Sequence, residues 1–257
     1  MRMAEAHAPV FAVEEASAAD RIGRPFRSGD SLAPRTDSND HAIYVRLAHT
    51  RMDGEVLPQL VYTVWFPERP KEGTFDILGG PLDGLVWRVT LDRQGRPLIY
   101  DSFHSCGCYH LFFPTNLVER LPVAEDEDLR EEPLTPMQAP QRQEGERIVL
   151  HVASGSHYLR GLSITPSWED SKTLRVIDEH AAPAFGLRSL ETEGSVRRSL
   201  FAPDGIVVGT ERTERFILWP MGISSPGAMR QWGTHATAFV GTRHADDPYL
   251  FDEAFKR

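Results

Sequence analysis

Short apolar runs separated by turn residues constrain this chain most. Residues 42–50, 59–66, 85–91 and 98–103 are rich in Val, Ile, Leu, Tyr and Trp, and the same composition returns at 147–153, 157–164, 173–177, 186–190, 205–210 and 213–219. Runs this short, carrying β-branched and aromatic residues and bounded by Gly, Pro and Asp, select strands over amphipathic helices. In the second half they recur about every ten residues, a spacing that suits an antiparallel sandwich or barrel. The expected fold class is therefore mainly β: an antiparallel sandwich or barrel-like sheet with a few short peripheral helices. Those helices are expected at 115–121, 226–232 and 248–255, with Pro226 and Pro248 as openers, since proline is tolerated in the first helical turn.

The best-defined unit is the pair 85–91 and 98–103 around Asp92-Arg93-Gln94-Gly95-Arg96-Pro97. Asp92 initiates a type I turn and Gly95 takes a left-handed position, which predicts a hairpin. Residues 1–40 are dominated by Ala, Glu, Ser, Pro and Asp and read as a poorly anchored segment, within which 7–13 could add an edge strand or a short docking segment. Residues 41–257 read as one β-rich domain, interrupted at about 124–146 by an acidic, Pro- and Gln-rich exposed insertion.

Composition excludes several classes. With 40% hydrophobic and 25% charged residues, the 257-residue chain has an ordinary globular balance. A net charge of −9 argues against nucleic acid and anionic lipid as partners. No apolar run reaches the roughly 18 residues of a membrane-spanning helix, and the first 19 residues lack the pattern of a secretory signal. Two closely spaced cysteines do not make an extracellular disulfide framework, so a reducing cytoplasm is the default expectation.

Chemistry points to one segment. His104, Cys106, Cys108 and His110 alternate in Asp-Ser-Phe-His-Ser-Cys-Gly-Cys-Tyr-His, which holds both cysteines of the chain. Thiolate and imidazole bind borderline and soft metals, zinc by default, with iron or copper as alternatives. A straight strand would place His104 and His110 roughly 20 Å apart, too far to wrap one ion through bonds of about 2.0–2.3 Å. Gly107 offers a bend, because glycine takes positive φ without a Cβ clash. A bent Cys-Gly-Cys would present two sulfurs with one histidine beside them, so two or three ligands are expected here. The competing readings are a Cys-x-Cys redox pair, whose tight ring is easily reduced, and simple packing of two small apolar side chains.

Partners for the segment are sought elsewhere. Residues 219–235, dense in Gly, Pro and Trp, contain Arg230 and His235. His235 is the first choice for a distant ligand or general acid–base group, and Arg230 for pairing with an anionic small-molecule substrate. His151, His157, His180 and His244 are weaker candidates, each more readily explained as a hydrogen-bonded residue. Neither HExxH, GxSxG, an EF-hand loop, GxGxxG nor a Walker lysine is present. The sequence-level reading is a soluble metal-binding protein, with a metal-dependent enzyme slightly favoured. A thiol redox protein and a binding module with a structural Cys/His site compete with it.

Overall fold

The computed structural model describes residues 2–28, 33–122, 131–166, 175–179, 187, 190–191, 197–237 and 243–257. In chain order the principal elements are α1 (Arg2–His7), β1 (Val10–Val13), β2 (Ala42–Met52), β3 (Glu55–Arg69), β4 (Gly80–Leu91), β5 (Pro97–His104), β6 (Leu111–Pro114), β7 (Arg147–Val152), β8 (Leu159–Thr165), β9 (Arg175–Asp178), α2 (Arg215–Leu218) and α3 (Leu250–Ala254). A six-stranded sheet runs β9-β2-β3-β4-β5-β6, antiparallel throughout except for the parallel pair β9–β2. A three-stranded sheet runs β1-β7-β8, with β1 parallel to β7. The molecule is mainly β, as its short apolar runs require.

The large sheet is buried on both faces, and this explains its near-continuous apolar runs. On one face Val45, Tyr62, Trp87, Tyr100 and Phe113 share a core with Leu150 and Leu162 of the small sheet. On the other, Tyr44 and Trp65 meet Leu200, Val207 and Met229, while Ile99 and Phe112 meet Phe251 and Phe255. The expected hairpin is β4–β5, turned at Asp92, which accepts from the Gln94 and Arg96 backbone N–H groups. Its register sets Arg88 opposite Asp101. Both are buried, and the guanidinium Nη2 lies 2.7 Å from Asp101 Oδ2. Arg88 also donates to the Ala245 carbonyl, which ties the C-terminal layer to the sheet.

Several expectations are corrected. The edge strand offered within 7–13 is present as β1, which pairs with β7, and it anchors its neighbours: Ala4 and Ala8 are buried, and Tyr62 Oη donates to the Ala4 carbonyl over 2.6 Å. Small side chains let this segment lie close against the sheet, so low hydrophobicity did not mean low contact. Within the proposed insertion, residues 124–130 lie outside the described residues. Leu134 and Ala139 of the remainder dock on β6 through hydrogen bonds to Phe112 and Pro114, covering an edge that would otherwise be open.

Helices mostly fall elsewhere than expected. Residues 115–121 form a turn and a two-residue strand, Glu119–Arg120. Residues 226–232 are irregular, because Ser225 and Gly227 take φ of 47° and 81° and the Arg230 N–H donates to Ser105. The run 213–219 is no strand; it holds α2 and begins a 3₁₀ turn at Trp219. The run 205–210 is a turn with a single bridge from Ile206 to Arg230. Helix α3 falls inside the expected 248–255. Of the expected strand at 186–190, residues 186, 188 and 189 lie outside the described residues. Among the described residues no helix is long and apolar enough to cross a membrane.

Candidate functional site

Strand β5 ends at His104, and the chain turns back to β6 through residues 105–110. Two backbone bonds close the turn: Gly107 N–H to the His104 carbonyl at 2.7 Å, and His104 N–H to the Cys108 carbonyl at 2.9 Å. Gly107 adopts φ of 98°. A Cβ there would collide with the carbonyl of Ala236, so glycine is required both for the bend and for the close approach of a second chain segment. The bend anticipated from Cys-Gly-Cys is therefore present, as a hairpin loop.

The bend brings the two thiols together. The Cys108 thiol donates to the Cys106 sulfur, and that bond is the leading reason why the Cys106 thiol is held below its ordinary pKa; the adjacent His104 acts in the same direction. The Cys108 thiol is pushed well above its usual value, because it is the donor and is desolvated. Cys106 is thus the more acidic thiol of the two and Cys108 the less acidic. Both are free and half-buried.

The flanking histidines turn to carboxylates. His104 Nδ1 lies 3.8 Å from Asp83 Oδ1. On its other oxygen Asp83 meets His157 Nδ1 at 2.7 Å, and His157 Nε2 reaches to 3.6 Å from Asp20. The His157 ring stacks on Phe66 at 3.8 Å. Burial opposes charge on His104, but Asp83 outweighs it and raises the imidazole above its ordinary pKa. Asp83 is correspondingly held far below the carboxylate range despite its burial, by His104 and His157. A line of alternating carboxylates and imidazoles therefore runs from Asp20 to the Cys106 thiol.

At the other end of the motif, His110 Nε2 lies 2.8 Å from Asp101, the partner of Arg88. Burial pushes His110 down to about 4, so it is a neutral donor to that ion pair. Among the described residues, no group of three or more His, Cys, Asp or Glu side chains converges as a metal cage. His104 and His110 serve different carboxylates on opposite sides of the loop.

Arg230 and His235 do lie beside the loop. The Arg230 N–H donates to the Ser105 carbonyl, and the His235 ring meets Phe103 edge-on at 5.2 Å. The Arg230 guanidinium is occupied by backbone carbonyls, including Ser224 and Ser225 at 2.7 and 2.6 Å. Burial, and then the charge of Arg230, push His235 down to about 3, and neither ring nitrogen has a hydrogen-bond partner among the described residues. His151 bonds Ser163 near the surface, and His180 lies outside the described residues.

A cavity of about 180 Å³ opens against the thiols. Cys106, Cys108 and His110 form one wall, and α2 with the turn after it supplies Leu218, Met221 and Ile223. Sequence reading missed this cavity and also missed Asp83. Arg88 and Asp101 carried a readable signal: opposite charges in two apolar runs, placed face to face by the hairpin register.

No family model and no curated protein matches the chain. One solved structure, described as a toxin fold for microbial attack and plant defense, aligns over 69% of this chain and 72% of its own. Its identity is 13% and its TM-score 0.35, a likeness that carries no argument.

Proposed function

We propose that the protein is a thiol–disulfide redox protein, with Cys106 as the attacking sulfur and Cys108 as the resolving one. The observation that carries this reading is the Gly107 bend, which sets two free thiols against each other at the wall of a cavity. The Cys106 thiolate attacks one sulfur of a disulfide substrate; that S–S bond breaks, and a thiolate leaves. Cys108 yields its proton to that leaving group and attacks Cys106, forming the internal disulfide and releasing the second thiolate, which solvent protonates. The protein loses two electrons and the substrate gains them. Because a Cys-x-Cys ring is tight, the product is readily reduced again.

The test is thiol titration with intact mass measurement before and after oxidation. The expected result is loss of both thiols, with one internal disulfide that dithiothreitol reverses, and its absence in Cys106→Ser or Cys108→Ser. Retention of both thiols under disulfide oxidants refutes the proposal.

A metal site is the second reading, favoured by the same two soft donors facing one cavity. Zinc is the default ion, with iron or copper as alternatives, and Cys106 and Cys108 would be the ligands. His104 or His110 would join them only by leaving Asp83 or Asp101. Elemental analysis of protein purified under reducing conditions separates the readings: about one ion per chain, lost in the double serine variant, supports the metal site.

A further inference from the structure

Building on the redox reading, we infer that the cavity beside Cys106 and Cys108 selects its substrate: a low-molecular-weight disulfide whose non-reacting part is a compact apolar group. Cavity size comes first. At about 180 Å³ the space is close to the roughly 150 Å³ apolar cavity that accommodates benzene. A short alkyl or aromatic group fills it.

The wall chemistry comes second. Leu134, Leu218, Met221, Ile223, Pro226 and Ala236 supply apolar surface around the thiols. The two charged residues of the wall, Glu131 and Arg243, face one another at 3.8 Å. Arg243 also donates to the Glu131 carbonyl over 3.0 Å and lies over the Phe112 ring. Their charges are answered within the protein. A substrate that brought carboxylates or ammonium groups into this space would leave water without regaining equivalent partners. An alkyl or aromatic group gains by leaving water. Position comes third: the apolar part of a disulfide seated here lies next to its own S–S bond, which puts that bond against the Cys106 sulfur.

The reaction is the one written above, with the apolar disulfide as oxidant. Both sulfurs of the substrate leave as thiols, and the protein keeps the new Cys106–Cys108 bond. No further oxidant is required.

The test compares second-order rates of Cys106–Cys108 disulfide formation with dipropyl disulfide, cystine and oxidised glutathione. A Ser-Cys-Gly-Cys-Tyr peptide under the same conditions provides the intrinsic reactivity of each oxidant. The expected result is a dipropyl-to-glutathione rate ratio at least about tenfold larger for the protein than for the peptide, the scale that burying a three-carbon chain supports. Met221→Asp and Leu218→Asp, both on the half-buried cavity wall, should return the ratio to the peptide value with the sheet's circular dichroism unchanged. Disulfide formation at the peptide's own ratio overturns the substrate inference and leaves the redox reading standing. Failure of every oxidant to form the bond overturns both.

Discussion

At the residue scale, the charge on Cys106 depends on neighbours of different kinds. Cys108 donates a hydrogen bond to it, and His104 sits beside it as an imidazole whose pKa Asp83 raises. Replacing His104 with Gln removes the titratable ring but keeps a polar side chain. The thiol's titration should then move to higher pH, and alkylation of Cys106 by iodoacetamide at pH 7 should slow roughly tenfold. An unchanged pH profile would show that His104 is not a source of the shift. A second residue-scale prediction concerns Arg88, whose side chain is 1% exposed against Asp101 at 0%. Arg88→Met strands a buried carboxylate, and urea unfolding should show a loss of about 3–5 kcal/mol. The hairpin that carries this pair was legible in the sequence from its turn residues, but the one-residue slip between Thr90 and Leu91 that sets Arg88 opposite Asp101 was not. Nor was the role of Asp83: its partners His104 and His157 stand 21 and 74 positions away, and only tertiary packing joins them.

At the scale of elements, the 105–110 loop is a rigid turn held by two backbone bonds and by a neighbour that tolerates no side chain at its apex. Gly107→Ala must both adopt a left-handed conformation and displace the Ala236 carbonyl. The expected cost is about 1–3 kcal/mol or more in denaturant melts, with a slower internal disulfide because the sulfurs separate. Sequence periodicity revealed this hairpin because its strands are local and its turn chemistry is explicit. It failed for 205–235, where a strand at 205–210 and a helix at 226–232 were expected. That segment makes long-range bonds, such as Arg230 to Ser105 and Val207 to Met229, that obey no period. Its single-residue geometry, including positive φ at Gly205 against Thr234 and at Gly227 against Glu214, is set by what it packs against. The cavity belongs to this layer and was invisible for the same reason.

At the scale of the whole molecule, buried neutral imidazoles make stability depend on pH. His110 is pushed down to about 4 and His235 to about 3, each first by burial. In an unfolded chain both titrate near about 6.5. Between about pH 6.5 and 4 the unfolded chain binds protons that the folded one refuses, so stability falls as pH drops through that window. The limiting slope is ~1.4 kcal/mol per pH unit for each group. His104, raised in the fold, contributes stability that is fully present below its unfolded value and so adds no fall of its own across that window; its contribution fades as pH rises through its folded value. Urea melts at pH 7 and pH 4.5 should show lower stability at the acid end, with an uptake of about two protons on unfolding from these two groups.

The contact of Gly107 with Ala236 has a consequence in time. The hairpin bearing both sulfurs is made early in synthesis, but the segment that seals it is made more than a hundred positions later. As an N-terminal part emerges first, the sulfurs pass through a stage with no roof over them. During that stage any electrophile can reach them, whatever its polarity, because the segment that later closes over the turn has not yet been made.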